Sequence, residues 1–168
     1  MMEMNKKEIS EAQEALICNY LNWKRVKGSG SRHTFPGDVE SYMWLGECKT
    51  HIHSVGKLIF EKHVWNKIQQ EALSKFKYPV LFVDEGGCIT IDSVWCMLPR
   101  TIEFLNVPVI KLDKIYNQSV RITTSELEDI CVQQDVDKSC VLFEVNFSSE
   151  LVYICSLLFF QQRFGVIC

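Results

Sequence analysis

The chain has 168 residues, of which 47% are hydrophobic and 23% are charged, with only 8 glycines and 4 prolines. This composition is typical of one compact globular domain, and it excludes disordered, collagen-like and low-complexity proteins. The longest apolar run, residues 151–160 when Cys, Ser and Tyr are allowed, is half of the roughly 20 residues that a bilayer span requires. We therefore expect no membrane partner.

The net charge of -3 is unevenly distributed along the chain. Residues 15–121 carry 14 Lys or Arg against 10 acids, whereas residues 122–168 carry 2 against 7. The basic middle permits a phosphate-binding face, although a solvated mixed surface gives the same excess. The 8 cysteines form no CxxC pair and the N-terminus does not resemble a signal peptide, so we expect reduced thiols and a cytoplasmic location.

The first half of the chain predicts alternating helices and strands. Apolar residues over 5–23 recur at helical spacing, and a Gly/Ser loop follows over 27–37. Strand composition begins at Val39, with a hairpin turn near Glu40 and Ser41. A second helix is expected from Ile59 to Phe76, with Ser54 as a possible cap. Residues 80–83 and the segments 88–92 and 94–97 then predict a buried strand and its hairpin partner.

The chain after residue 100 gives weaker signals. The sequence TTSE at 123–126 is typical of a capping box before a short helix, and residues 140–147 predict a strand. Residues 151–164 fit either a final helix or a strand. Since no repeat or linker is visible, we expect a single domain over 1–168, with a core at about 8–100 and a C-terminal extension packed on it.

Three side chains close in sequence have the chemistry of a divalent-cation site. Asp38 and Glu47 can supply two carboxylate ligands, the oxygen donors that hard cations prefer. Strand alternation places Glu47 and Lys49 on one face, while the Cys48 side chain points away and leaves its carbonyl near the metal. A lysine beside the ion can orient the attacking water or help deprotonate it. The alternative is a salt-bridged surface hairpin, although an unpaired charge in a strand this apolar would be costly.

These residues resemble the PD-(D/E)xK nuclease superfamily, and within it the archaeal and phage Holliday junction resolvase-like group. The similarity covers residues 8–98 and lies in SGSRHTFPGDV at 29–39 and WLGECKT at 44–50. It implies that Asp38 is the acid of the PD element and that Glu47 and Lys49 are the acid and lysine of ExK. Glu14 matches the helical glutamate, with Glu11 as the reserve candidate.

The sequence departs from the family pattern at two points. Gly37 separates Pro36 from Asp38, and the interval from Asp38 to Glu47 is short for this superfamily. Neither change removes a ligand, but both leave the hairpin register open. The resemblance implies a restriction-endonuclease-like α/β fold, in which a mixed central sheet is flanked by helices in the order helix, two strands, helix, two strands.

Several other side chains are candidates for nucleic-acid or metal binding. The loop residues that can grip phosphates through hydroxyl, guanidinium and backbone N–H groups are Ser29, Ser31, Arg32 and His33. Lys57, with Lys62 and Lys67, can follow a DNA backbone or solvate an exposed face. His51 and His53 form an HxH pair that lacks partners at zinc spacing. Trp44, Trp65 and Trp95 are expected in the core rather than as base-stacking platforms.

The leading hypothesis is a Mg²⁺-dependent DNA endonuclease in which Mn²⁺ can replace Mg²⁺. Branched DNA, such as a Holliday junction, is among the expected substrates. A restriction- or repair-type nicking nuclease on the same scaffold is the first alternative. The second is a non-catalytic module that binds nucleic acid or protein. Because paired incision is most easily arranged by two-fold symmetry, we expect a homodimer, with part of the apolar run 151–160 as its partner surface.

Overall fold

The computed structural model describes residues 5–28, 37–53 and 55–165. Helix α1 (Lys6–Leu21) is followed by strands β1 (Lys24–Arg25), β2 (Val39–Glu40) and β3 (Trp44–Lys49). Asn5 begins α1 with a capping box, in which its side chain accepts the Glu8 N–H and Glu8 accepts the Asn5 N–H. The expected first helix and hairpin are confirmed.

The middle of the chain contains strand β4 (Lys57–Glu61), helix α2 (Lys62–Ser74), strand β5 (Tyr78–Asp84), a short 3-10 helix (Ile91–Ser93) and strand β6 (Val94–Pro99). The expectation that the second helix begins at Ile59 is wrong, because Leu58 and Phe60 are buried with the alternation of a strand. Residues 88–92 form no strand either; the chain crosses to β6 through the 3-10 turn. Ser54, the expected cap, lies outside the described residues.

The last part of the chain contains strand β7 (Val109–Tyr116), strand β8 (Ser119–Thr123), helix α3 (Thr124–Gln133), strand β9 (Leu142–Phe147), strand β10 (Glu150–Ser156) and helix α4 (Leu157–Phe164). The predicted capping box of α3 is confirmed, since Thr123 Oγ1 accepts the Glu126 N–H. Residues 151–164 contain most of strand β10 and the whole of helix α4, which Ser156 caps. Within the described part of the chain, none of the helices combines the length and apolar character needed to cross a membrane.

Eight strands form one mixed sheet in the order β1-β2-β3-β5-β6-β10-β9-β7. The β3–β5 and β7–β9 pairs are parallel and the other neighbours are antiparallel. Strands β4 and β8 form a separate two-stranded antiparallel sheet. The protein therefore belongs to the α/β class, and three strands from beyond residue 100 are part of the large sheet.

The core lies on both faces of the large sheet. Along β5, Leu81 and Val83 face α2, α3 and the small sheet, while Val80 and Phe82 face α1 and α4. Trp44, Trp65 and Trp95 are at most 3% exposed, which confirms that they are core residues.

The apolar run 151–160 is also core and does not form a free surface. Strand β10 lies between β6 and β9, and Phe159 and Phe160 of α4 pack into the second cluster. Of the large apolar side chains in this run, Leu151 is the exposed one, at 45%. The proposed location of a dimer interface in this run is therefore wrong, and the homodimer itself stays a prediction.

Candidate functional site

The β2–β3 hairpin fixes Asp38 beside Glu47. Val39 pairs with Gly46 in the antiparallel register, which places Asp38 across from Glu47. The Asp38 N–H donates to the Gly46 carbonyl at 2.8 Å, and Asp38 Oδ2 accepts the Cys48 N–H at 2.8 Å. The Asp38 carboxylate is thus held against the backbone of β3.

The same hydrogen bond orients the carbonyl of Cys48. In a strand, the N–H and C=O of one residue point to the same edge. Because the Cys48 N–H points to Asp38, its carbonyl faces the same side, beyond the last residue of the β2 ladder. The Cys48 thiol is buried on the opposite sheet face, where burial keeps its pKa well above the usual range.

The backbone conformation at position 37, just before Asp38, requires glycine. Its φ of +72° lies in the left-handed region, and a Cβ added there would be 2.8 Å from Leu45 Cδ1. Its N–H donates to Glu71 Oε2 at 2.9 Å. The glycine between Pro36 and Asp38 therefore lets the chain enter β2 beneath α2 without displacing Asp38.

Glu47 lies between two lysines on the α2 face of β3. Lys49 Nζ is 2.8 Å from Glu47 Oε1, and Lys67 Nζ on α2 is 3.3 Å from Glu47 Oε2. The Glu47 side chain is buried, whereas both lysines are partly exposed. Lys67 also lies 3.7 Å from Glu71, one helical turn later. The sequence pattern predicts for Lys67 a contact with a DNA backbone or a solvated helix face, and it does not single out Glu71.

Helix α1 brings Glu14, and not Glu11, towards the hairpin. Glu14 is 7% exposed, and its Oε2 accepts Arg25 Nη2 and Nε at 2.6 and 2.9 Å. Glu11 is exposed and lies 3.8 Å from Lys7. Next to Glu14, Gln13 donates its amide N–H to the Lys49 carbonyl at 3.1 Å, which ties α1 to the end of β3.

The pKa values of Asp38 and Lys49 respond to the neighbouring charges. The pKa of Asp38 is raised from 3.8 to about 6 by burial, by the charge of Glu47 and, more weakly, by the charge of Glu14. The hydrogen bond from the Cys48 N–H and the charge of Lys49 lower this pKa, but they do not outweigh the other effects. Burial alone would lower the pKa of Lys49, but the ion pair with Glu47 and the charge of Asp38 outweigh it and raise that pKa. Lys49 is therefore a cation at neutral pH and can donate hydrogen bonds.

The donor set suits a hard divalent cation better than zinc. Asp38 has no cationic partner within 4 Å among the described residues, while Glu47 and Glu14 are paired with ammonium and guanidinium groups. A cation would supply the missing counter-charge at Asp38, and carboxylate and carbonyl oxygens are the ligands that Mg²⁺ prefers. Among the described residues, no group of three His, Cys, Asp or Glu side chains is already arranged to hold a metal ion. Glu47 is paired with Lys49 and Lys67, so it would have to give up one of these contacts to bind a cation.

Lys57, His51 and His53 do not join this site. Ser29, Ser31, Arg32 and His33 lie outside the described residues. Lys57 is exposed at the start of β4, where it pairs with Thr123 of β8. His51 Nε2 is 3.0 Å from the Ile59 carbonyl, a contact within the fold, and His53 is exposed.

Comparison of the chain with protein-family models, with curated proteins and with solved structures finds no match.

Proposed function

We propose that this protein is a divalent-metal-dependent DNA endonuclease of the restriction-endonuclease-like fold, with branched DNA among its substrates. The observation that carries the proposal is the convergence of Glu14, Asp38, Glu47 and Lys49 from three separate segments of the chain. Asp38 lies across from Glu47 in the hairpin register, Lys49 Nζ is 2.8 Å from Glu47, and Gln13, next to Glu14, donates to the Lys49 carbonyl. An ordinary surface hairpin has no reason to bury two glutamates beside a half-buried aspartate, because each carboxylate is costly to desolvate.

The proposed roles follow from the chemistry of each group. Asp38, Glu47 and the carbonyl of Cys48 would hold Mg²⁺ or Mn²⁺, with Glu14 completing the set from α1. The chemistry that such a cation supplies is stabilisation of charge on the phosphoryl group and easier deprotonation of water. Lys49, which stays protonated, orients the attacking water and stabilises the negative charge that develops on phosphorus-bound oxygens.

Hydrolysis joins the water oxygen to phosphorus and breaks one phosphodiester P–O bond, and the leaving oxygen takes up a proton. Lys67 contacts the Glu47 carboxylate from the α2 side and would help to orient it. Gln13 and the Cys48 N–H hold the backbone and the Asp38 carboxylate in place.

Cleavage of supercoiled plasmid and four-way-junction DNA tests the proposal. We expect incision with Mg²⁺ or Mn²⁺ and none in chelator. Glu47→Gln should abolish it, and Glu14→Gln should reduce it strongly, whereas the matched variant Glu11→Gln on the exposed side of α1 should cut at the wild-type rate. DNA binding without incision under any metal would contradict the proposal and favour a non-catalytic binding module.

A further inference from the structure

Two adjacent turns at the far end of the β2–β3 hairpin expose an unusual set of aromatic side chains. We name the aromatic turn surface by its residues, Tyr42, Met43, Lys75, Phe76, Lys77 and Tyr78, which together line a shallow cavity of about 380 Å³. Tyr42 and Phe76 are each 96% exposed. Large apolar groups this open on neighbouring turns mark an interaction site rather than part of the core.

The two turns are tied to each other, so their backbones are held in fixed relative positions. Lys77 Nζ donates to the Ser41 carbonyl at 2.7 Å and to Glu40 at 2.8 Å. The Tyr78 N–H donates to the Met43 carbonyl at 2.8 Å. A ring on such a backbone loses less conformational freedom on binding than a ring on a mobile loop.

Phe76 has a backbone conformation that its own side chain disfavours. Its φ of +57° lies in the left-handed region, just after the end of α2. The Lys77 N–H donates to the Ala72 carbonyl and the Phe76 N–H to that of Leu73, the helix-ending pattern in which glycine is preferred. Because the ring is almost fully exposed, the fold gains little packing in return. A local rule broken without compensation indicates a functional position.

The charge around these rings is positive. Lys75 and Lys77 share a single acid, Glu40, at 3.3 and 2.8 Å. The surface continues into a cleft of about 690 Å³ beside Tyr42 and Met43, whose walls include Lys24 and Arg163. Both of these cations are exposed, and within the described residues neither forms an ion pair.

Exposed aromatic rings flanked by cations match the chemistry of unpaired nucleotides. Bases stack on aromatic side chains in a sequence-tolerant way while Lys and Arg contact the phosphates. The bases of a continuous duplex are already stacked on each other and cannot offer their faces. Met43, the residue of this surface that directly precedes β3, is four residues, or about 13 Å along an extended chain, from Glu47.

We propose that the aromatic turn surface binds unpaired nucleotides of the substrate next to the cleavage site, so that the protein prefers DNA in which a single strand adjoins a duplex. This inference rests on the proposed function and specifies its substrate class. Stacking on Tyr42 and Phe76 supplies the preference, and the surrounding cations supply contacts to phosphates that any DNA can make.

Fluorescence anisotropy in chelator tests the inference without cleavage. The probes are a labelled duplex and the same duplex with a single-stranded arm. In the double variant Tyr42→Ala, Phe76→Gly, we expect the affinity for the armed DNA to fall roughly 5- to 150-fold for each base stack lost, with a smaller change for the duplex. Glycine suits the left-handed position, so the Phe76 change should not unfold the chain. Val132→Ala, at a side chain 79% exposed on α3, is the control and should bind like the wild type.

Unchanged affinity of the double variant for the armed DNA would overturn the inference. Cleavage of plasmid by the wild type, measured in parallel with Mg²⁺, separates the two proposals. If the wild type cuts plasmid and the double variant still binds armed DNA normally, the inference fails and the proposed function stands. Self-association of the wild type that is lost in the double variant, with DNA affinity unchanged, would identify a protein interface instead and also overturn the inference.

Discussion

Asp38 is held in an environment that disfavours its charge. Burial and the nearby glutamates raise its pKa from 3.8 to about 6. An acid with a higher pKa in the folded chain binds its proton more tightly there, so the free energy of unfolding falls as pH rises from about 3.8 through about 6. The full cost above that range is about 3 kcal/mol, at 1.36 kcal/mol for each pKa unit. Such a cost is expected where function, rather than stability, determines the residue.

Replacing Asp38 by Asn should therefore stabilise the protein in a pH-dependent way. Asn removes the charge and keeps an oxygen that can accept the Cys48 N–H. In chelator, we expect the gain in free energy of unfolding to be about 2 kcal/mol larger at pH 8 than at pH 4.5. Urea denaturation at the two pH values measures it, with the exposed Asp113→Asn as control. An equal gain at both pH values would show that Asp38 does not titrate as described.

The individual site residues could be predicted from sequence to different extents. The proximity of Asp38, Glu47 and Lys49 follows from strand alternation and short spacing, whereas Glu14 on α1 contacts Arg25, and its place in the site stays a prediction. The contact of Lys67 with Glu47 depends on how α2 crosses β3, and helical spacing alone carries no information on that crossing. The same holds for Glu71, whose partner is the backbone N–H of Gly37, 34 residues away.

Helices and strands could be predicted from the sequence where residues close together in the chain determine them. The capping box at Thr123 and Glu126 is formed by residues three apart, so the sequence alone predicts the start of α3. The sequence predicts a helix from Ile59, inside β4, because two or three apolar residues fit the period of either a helix or a strand. Its partner β8 lies some 60 residues later, and only that pairing makes Leu58 and Phe60 a buried strand.

The cap of α3 gives a test at this scale. Thr123→Ala removes the oxygen that accepts the Glu126 N–H and should lower the free energy of unfolding by about 1 kcal/mol. Thr124→Ala, one residue later, is the matched control, since the Thr124 side chain makes no hydrogen bond within the described residues; it should change stability by less than about 0.5 kcal/mol. Chemical denaturation of both variants measures these changes in the free energy of unfolding. Equal losses in the two variants would contradict the capping role of Thr123.

At the scale of the whole molecule, the large sheet joins both ends of the chain. Strand β10 pairs with β6 over residues 152–156, and β9 and β7 extend the sheet beyond it. The α/β class could be predicted from the alternation of elements in the first half. The insertion of β10 beside β6 could not, because it depends on contacts between distant segments.

A fragment that ends at Arg100 should consequently fail to fold. It would lose the partner strand of β6 and expose Cys96, Leu98 and their neighbours, which are fully buried in the intact chain. Circular dichroism and thermal melting of the fragment 1–100 should show no cooperative transition. A cooperative melt would contradict this expectation and show that residues 8–100 form an independent core.

The role of Asp38 in a metal-dependent active site is tested by the single-turnover rate of DNA cleavage by Asp38→Asn beside that of the wild type, with Asp113→Asn as control. Asp38→Asn preserves the hydrogen bond to β3 and should raise stability at pH 8, so loss of activity cannot be attributed to unfolding. We predict that Asp38→Asn reduces the Mg²⁺-dependent rate by at least about 100-fold, as expected for loss of a group that holds the catalytic charge. Cleavage by Asp38→Asn at the wild-type rate would show that Asp38 does not hold a catalytic cation.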